Sequence, residues 1–260
     1  MTLVLDQIKV VRVAPCPNHY SPKRASQFLS TTIENHQATR MTERRVTIRN
    51  NHGENLVGIL HNAASISLVI VCHGFQSSKE RIPMVNLAAA LGKDGNSAFR
   101  FDFAGNGESE GSFQYGNYYR EVEDLRAVVQ HFREQKYVIT AIVGHSKGKI
   151  KYRVTEKSLM DRLSTITHLA CLLIPHDCSV LTIHGSMDET VPAEDALEFA
   201  KFISNHELCI IEGADHEYSS HQDELTSLVL EFVKIHTDKD KDTSKQTRFG
   251  RVHKPIHSRF

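Results

Sequence analysis

The chain contains no tryptophan and carries no net charge, because 31 Lys and Arg balance 31 Asp and Glu. That balance gives no electrostatic reason to expect nucleic acid or an anionic membrane as a partner. No apolar run approaches the length of a transmembrane helix. Cysteine is sparse: Cys16, Cys72, Cys171, Cys178 and Cys209 are odd in number and scattered. Two of them fall in predicted strands, so they read as reduced thiols of an intracellular protein and not as a disulfide framework. Histidine is plentiful at 16, yet H-E-x-x-H and Cys/His zinc spacings are absent. His216 and His221 alone make a poor metal pair, so no metal is expected. What is present, 40% hydrophobic and 24% charged residues over 260 positions, suits a globule with a real core.

Residues 1–40 show no sustained period. Asp6, Lys9 and Arg12 interrupt their only apolar stretch, which rules out a secretory core. The segment reads as a disordered extension, with a transit peptide as the alternative. The cytoplasm is therefore the expected location, and a plastid or mitochondrion the alternative.

Regular patterning then covers residues 41–236. Arg45–Ile48 and Leu56–Leu60 read as a hairpin around Asn50-Asn51-His52-Gly53. Leu68–Cys72 is a continuous apolar run, typical of a strand covered on both faces. Ile82–Leu91 and Tyr118–Arg133 have helical spacing, and Ala98–Phe103 and Val138–Val143 read as strands. Glu156–Leu173 is expected to be a helix, Val180–Ile183 a strand, Ala193–Ile203 a helix, Leu208–Ile211 a strand and His221–Ile235 a helix. This alternation predicts a mostly parallel sheet with helices on both faces. Residues 237–260, with seven Lys/Arg and three Asp, read as a disordered basic tail.

Four motifs follow strand ends, where open α/β sheets bind ligands. Gly144-His145-Ser146-Lys147-Gly148 is G-x-S-x-G at a strand-to-helix turn. It makes Ser146 a nucleophile candidate, with Gly144 and Gly148 expected to relieve clashes at a strained turn. His73-Gly74-Phe75 follows Leu68–Cys72, so the Phe75 N–H and the Lys147 N–H are candidate oxyanion donors, with Gly74 shaping the turn. His184-Gly185-Ser186-Met187-Asp188 offers Asp188 as the orienting acid, with Glu189 as a substitute. Gly213-Ala214-Asp215-His216 offers His216 as the base. Asp215 reads as a loop residue.

The order Ser…Asp…His and these four motifs resemble the α/β-hydrolase superfamily over residues from about 43 to 235. The nearest group comprises plant and bacterial esterases and acyl hydrolases classed with the serine aminopeptidase S33 and monoacylglycerol-lipase-like enzymes. Phe101-Asp102-Phe103-Ala104-Gly105-Asn106-Gly107-Glu108-Ser109 is similar to that group's turn motif, in which the aspartate and glycines do no chemistry. The resemblance implies an α/β-hydrolase fold, a small-molecule ester or amide substrate, an acyl-enzyme intermediate and no cofactor. Short-chain or aromatic esters are the expected substrates, and amide hydrolysis is the alternative.

One departure stands out. After the serine the family continues with a small residue, a buried helix, one more strand and a lid. Here Lys149-Ile150-Lys151-Tyr152-Arg153 follows Gly148. Burying even one of those cations unpaired costs several kcal/mol. The stretch before Asp188 is too short for all those elements, as though an internal segment had been skipped. The expected sheet is therefore one strand short, lacking the elbow helix and most of the lid. Asp188 and His216 would then shift by ~4.8 Å relative to Ser146. An inactive, ligand-binding derivative is the corresponding alternative to an enzyme.

Overall fold

The computed structural model describes residues 8–12, 41–146 and 171–249. Its core is an eight-stranded sheet. The strands are β1 (Ile8–Arg12), β2 (Thr42–Arg49), β3 (Asn55–Asn62), β4 (Ser67–Cys72), β5 (Ser97–Phe101), β6 (Val138–Gly144), β7 (Val180–Gly185) and β8 (His206–Ile211). The helices are α1 (Ile82–Lys93), α2 (Tyr118–Glu134), α3 (Ala193–Ala200) and α4 (Gln222–Phe249). The spatial order is β2-β3-β5-β4-β6-β1-β7-β8.

The expected hairpin forms between β2 and β3, in register from Thr42↔Asn62 to Arg49↔Asn55. β4 pairs in parallel with β5 on one side and β6 on the other, and β7 pairs in parallel with β8. β4 explains its own sequence. Val69 and Val71 face the layer of α1 and α4, whereas Leu68, Ile70 and Cys72 face α2. From Leu68 to Cys72 both faces are covered, hence the unbroken apolar run, and the one polar residue of the strand, Ser67, sits at its start with its hydroxyl bonded to Asn96. On the α2 side, Phe99 and Phe132 pack with ring centroids 4.7 Å apart and fill the layer.

Two expectations about the ends of the chain are corrected. Residues 8–12, placed in a disordered extension, form β1 inside the sheet. β1 runs antiparallel to both neighbours, with Val10 opposite Val143 of β6 and Leu181 of β7. β1 fills the place between β6 and β7, so the sheet has eight strands among the described residues, and His216 is not displaced relative to Ser146 but lies within hydrogen-bond reach of it. The physical reason is apolar burial: Val10 is fully buried among Val143, Leu181 and Ile183, worth roughly 1.5–3 kcal/mol. Charges at Lys9 and Arg12 hid a strand too short to show a period. At the other end, helix α4 continues through the expected tail to Phe249. That stretch has neither Gly nor Pro before Gly250, so nothing interrupts helix propagation. The expected helix at Glu156–Leu173 and the elbow helix lie almost wholly outside the described residues.

Candidate active site

Ser146 follows β6, Asp188 follows β7 and His216 follows β8, so parallel strands deliver all three to one edge of the sheet. The Ser146 hydroxyl lies 2.7 Å from His216 Nε2, and His216 Nδ1 lies 2.7 Å from Asp188 Oδ2. With Asp188 ionised, Nδ1 carries the proton and donates to the carboxylate. Nε2 is then left to accept from the serine. Asp188 Oδ1 accepts the backbone N–H groups of Thr190 and Val191, both at 2.8 Å. Burial pushes the Asp188 carboxyl up, but hydrogen bonds from His216, Val191 and Thr190 and the nearby imidazole outweigh it. The net effect holds the acid below its ordinary value.

The loops that carry the acid and the base are stitched together. Ser186 N–H donates to Ile211 O, Met187 N–H to Ala214 O, and Gly213 N–H to Ser186 Oγ. A Cβ on Gly185 would lie 2.3 Å from Ala214 O, so only glycine permits this approach. The Tyr218 hydroxyl donates to Ile183 O and pins the loop after His216 back to β7. The sequence alone pointed to neither contact, because loop-to-loop distances leave no periodic trace.

The serine turn is tightly held. Ser146 is nearly buried and has φ +24°, in the left-handed region that side chains rarely adopt. His145 N–H donates to Cys72 O, and the buried His145 ring donates through Nε2 to the His216 carbonyl at 3.2 Å. Burial lowers the His145 pKa, with the charge of Glu217 opposing it. His145 thus ties the serine turn to the base loop, a role that sequence reasoning missed.

Two glycine and donor expectations need correction. A Cβ on Gly144 would meet nothing within 4 Å, and its φ is not left-handed. The steric demand falls instead on Gly74, where a Cβ would sit 2.3 Å from Ser146 O and 3.0 Å from His145 O. The Phe75 N–H is not a free oxyanion donor here. It donates to Ser146 O at 2.9 Å, because the serine carbonyl points at the Gly74–Phe75 loop. The other expected donor, the Lys147 N–H, and Gly148 lie outside the described residues. His73 fixes this loop, donating from Nδ1 to Gly74 O and accepting from Phe103 N–H at Nε2.

Beside the loop, Phe75 meets Phe113 and Tyr115 edge-to-face, with centroids 5.3 and 5.5 Å apart. All three rings are half-buried. The Asp102 turn rests on a buried ion pair that the sequence did not reveal. Lys79 Nζ lies 2.7 Å from Asp102 Oδ2 and 2.6 Å from Glu108 Oε2. Asp102 Oδ1 also accepts Lys79 N–H, and Arg100 donates to Lys79 O. A Cβ on Gly107 would fall 2.3 Å from Asp102 Oδ2.

A mixed sheet flanked by helices, with a serine, a carboxylate and an imidazole at successive strand ends, defines the α/β-hydrolase fold. Residues 63–155 match the family model for serine aminopeptidase, S33. The chain is 24% identical over 224 residues to the uncharacterized protein YDL057W of Saccharomyces cerevisiae, covering 58% of this chain and 68% of that protein. Among solved structures it is similar to Est1E of Butyrivibrio proteoclasticus with ferulic acid bound. There the TM-score is 0.63 at 19% identity, over 74% of this chain and 99% of that one. It also resembles the esterase Pf2001 of Pyrococcus furiosus, with TM-score 0.62 and 20% identity over 83% and 98% of the chains. A third similar structure is an α/β serine hydrolase without lid from Xanthomonas campestris. Its TM-score is 0.52 at 19% identity, over 74% and 93% of the chains.

Proposed function

We propose that the protein is a serine hydrolase that cleaves carboxylic esters through an acyl-enzyme. The observation that carries this reading is the unbroken hydrogen-bonded relay Ser146–His216–Asp188, with both contacts at 2.7 Å. In the first step Ser146 Oγ forms a bond to the ester carbonyl carbon while His216 Nε2 takes its proton. The imidazolium, stabilised by Asp188, then protonates the departing alkoxide as the ester C–O bond breaks. Water repeats the sequence on the acyl-enzyme and regenerates the serine.

The aromatic group of Phe75, Phe113 and Tyr115 beside the nucleophile supports a short apolar or aromatic acyl group. Its edge-to-face arrangement can accept a further planar ring. The bound ferulic acid of Est1E supports the same class. Oxyanion stabilisation by Phe75 requires its N–H to leave Ser146 O and turn to the substrate, because a single N–H serves one acceptor well.

The decisive experiment is labelling of the full chain with a fluorophosphonate probe. Labelling of the wild type and its loss in Ser146→Ala are expected. A folded wild-type chain that stays unlabelled overturns the reading. It would favour the second one, a ligand-binding derivative without catalysis, for which the engaged Phe75 N–H is the specific support.

A further inference from the structure

The sheet is built from two blocks that meet at one strand. β2 to β6 form the first, which carries Ser146 at the end of β6. β7 and β8 form the second, which carries Asp188 and His216. β6 and β7 run in the same direction yet are not hydrogen-bonded to each other, since each pairs with β1. The acid and base therefore belong to one rigid pair of strands, whereas the nucleophile belongs to the other block. Two strand spacings, ~9.6 Å, separate β6 from β7. The strand that fills this interval runs against both of its neighbours: β1 opposes β6 and β7, whereas β4 runs parallel to β6 and β8 parallel to β7.

The interval selects what occupies it. Val10 is buried against the α1 and α4 layer, and Val11 packs on the other face with Cys171, Val180 and Ile203. Successive residues of β1 thus meet apolar layers on both sides. Main-chain groups of Ala141–Gly144 and Val180–Ile183 line the two edges along β1. An extended segment with consecutive apolar residues satisfies both edges and both faces at once, which is the chemistry of strand addition to a sheet.

We propose that the interval between β6 and β7 is a strand-acceptor site for an extended peptide with two consecutive apolar residues at its centre. Residues 8–12 of this chain occupy it in antiparallel sense, and its occupancy sets the contact between Ser146 and His216. The functional readout rests on the hydrolase reading above, and the structural readout does not. β1 is a positioning element: it touches no reacting atom, and it holds the two blocks at the separation the proton relay needs. Without it the Ser146–His216 contact opens while the His216–Asp188 contact, internal to the second block, persists.

Two measurements on the full chain test this. In the wild type, hydrogen exchange of residues 8–12 should be as slow as that of 138–144 and 180–185. Exchange at free-peptide rates would overturn the proposal whatever the catalytic outcome. The second measurement uses the full chain carrying Val10→Asp, which puts a carboxylate into the apolar layer. Fluorophosphonate labelling should slow about a hundredfold or more, since a misplacement near 1 Å costs that much. A synthetic peptide of residues 6–14 added in trans should restore labelling saturably, and in ester hydrolysis the gain should fall in kcat with KM unchanged. The same peptide carrying Val10→Asp should restore nothing. Labelling of the variant at the wild-type rate, or a loss that the native peptide does not reverse, overturns the acceptor site. If the variant does not fold, the exchange measurement on the wild type decides. Failure of the wild type itself to label instead removes the hydrolase reading and leaves the exchange result standing.

Discussion

Gly74 has the tightest surroundings at the nucleophile, since a single added methyl group would press into the Ser146 carbonyl. That carbonyl belongs to the backbone of the serine turn, so it yields only by moving Ser146. Gly74→Ala is therefore expected to lower the fluorophosphonate labelling rate at least about a hundredfold, with a reduced melting temperature. Gly144→Ala, which adds a Cβ into open space, should leave labelling nearly unchanged. Asp188→Asn is predicted to lower kcat by about 10⁴, because an amide there favours the wrong imidazole tautomer. Labelling kinetics check the two glycine variants, and ester-hydrolysis assays check Asp188→Asn. Ser146, Asp188 and His216 could be singled out as candidates in the sequence because each follows an apolar strand within five positions. The engagement of Phe75 could not be, since the direction of a backbone carbonyl is not written in residue type.

The turn that follows β5 is held from below by a lysine with almost no access to solvent. Lys79 is 1% exposed and Asp102 is fully buried. Burial pushes the Lys79 pKa down, but the hydrogen bonds and charges of Asp102 and Glu108 outweigh it and raise it overall. Lys79→Met would strand the Asp102 carboxylate in the interior. The expected loss is about 3–5 kcal/mol, a drop in melting temperature of roughly 6–20 °C, measurable by thermal denaturation. The sequence motif located the turn and its glycines but not this partner, which lies on a loop more than twenty positions upstream with no periodicity to mark it. Among the regular elements, those with long apolar alternation or helical spacing were legible, β4, β6, α1 and α2 among them. β1 was not: five residues with Lys9 and Arg12 at positions 2 and 5 look like any charged leader until the edges that receive them are known.

Over the whole molecule, acid should weaken the fold in the imidazole range. His61 is fully buried and accepts from Arg100 Nε at Nε2. Burial lowers its pKa, with the charge of Glu43 opposing and that of Arg100 assisting. His145 is lowered as well, again chiefly by burial. Both are therefore held neutral in the native state, while the unfolded chain takes up protons at the ordinary value near 6.5. Their contribution to stability is complete above that value and is lost as pH falls through the depressed native values. Melting temperatures across this range should fall with acidification, and the fall should be shallower in His61→Gln. An unchanged slope in that variant would exclude His61 as a source.

The placement of β1 also governs the order in which the molecule can be assembled. The ribosome makes this strand before either of the strands that flank it, and β7 emerges only after most of the first block exists. Until then β1 has only one of its two flanking strands, and the edge that awaits β7 stays unpaired, the kind of surface on which nascent chains associate. Closing the sheet is consequently a late, long-range event with a high loop-closure cost. Slow refolding and a dependence of yield on chain concentration are what such an assembly produces, and dilute refolding followed by the recovery of labelling would reveal both.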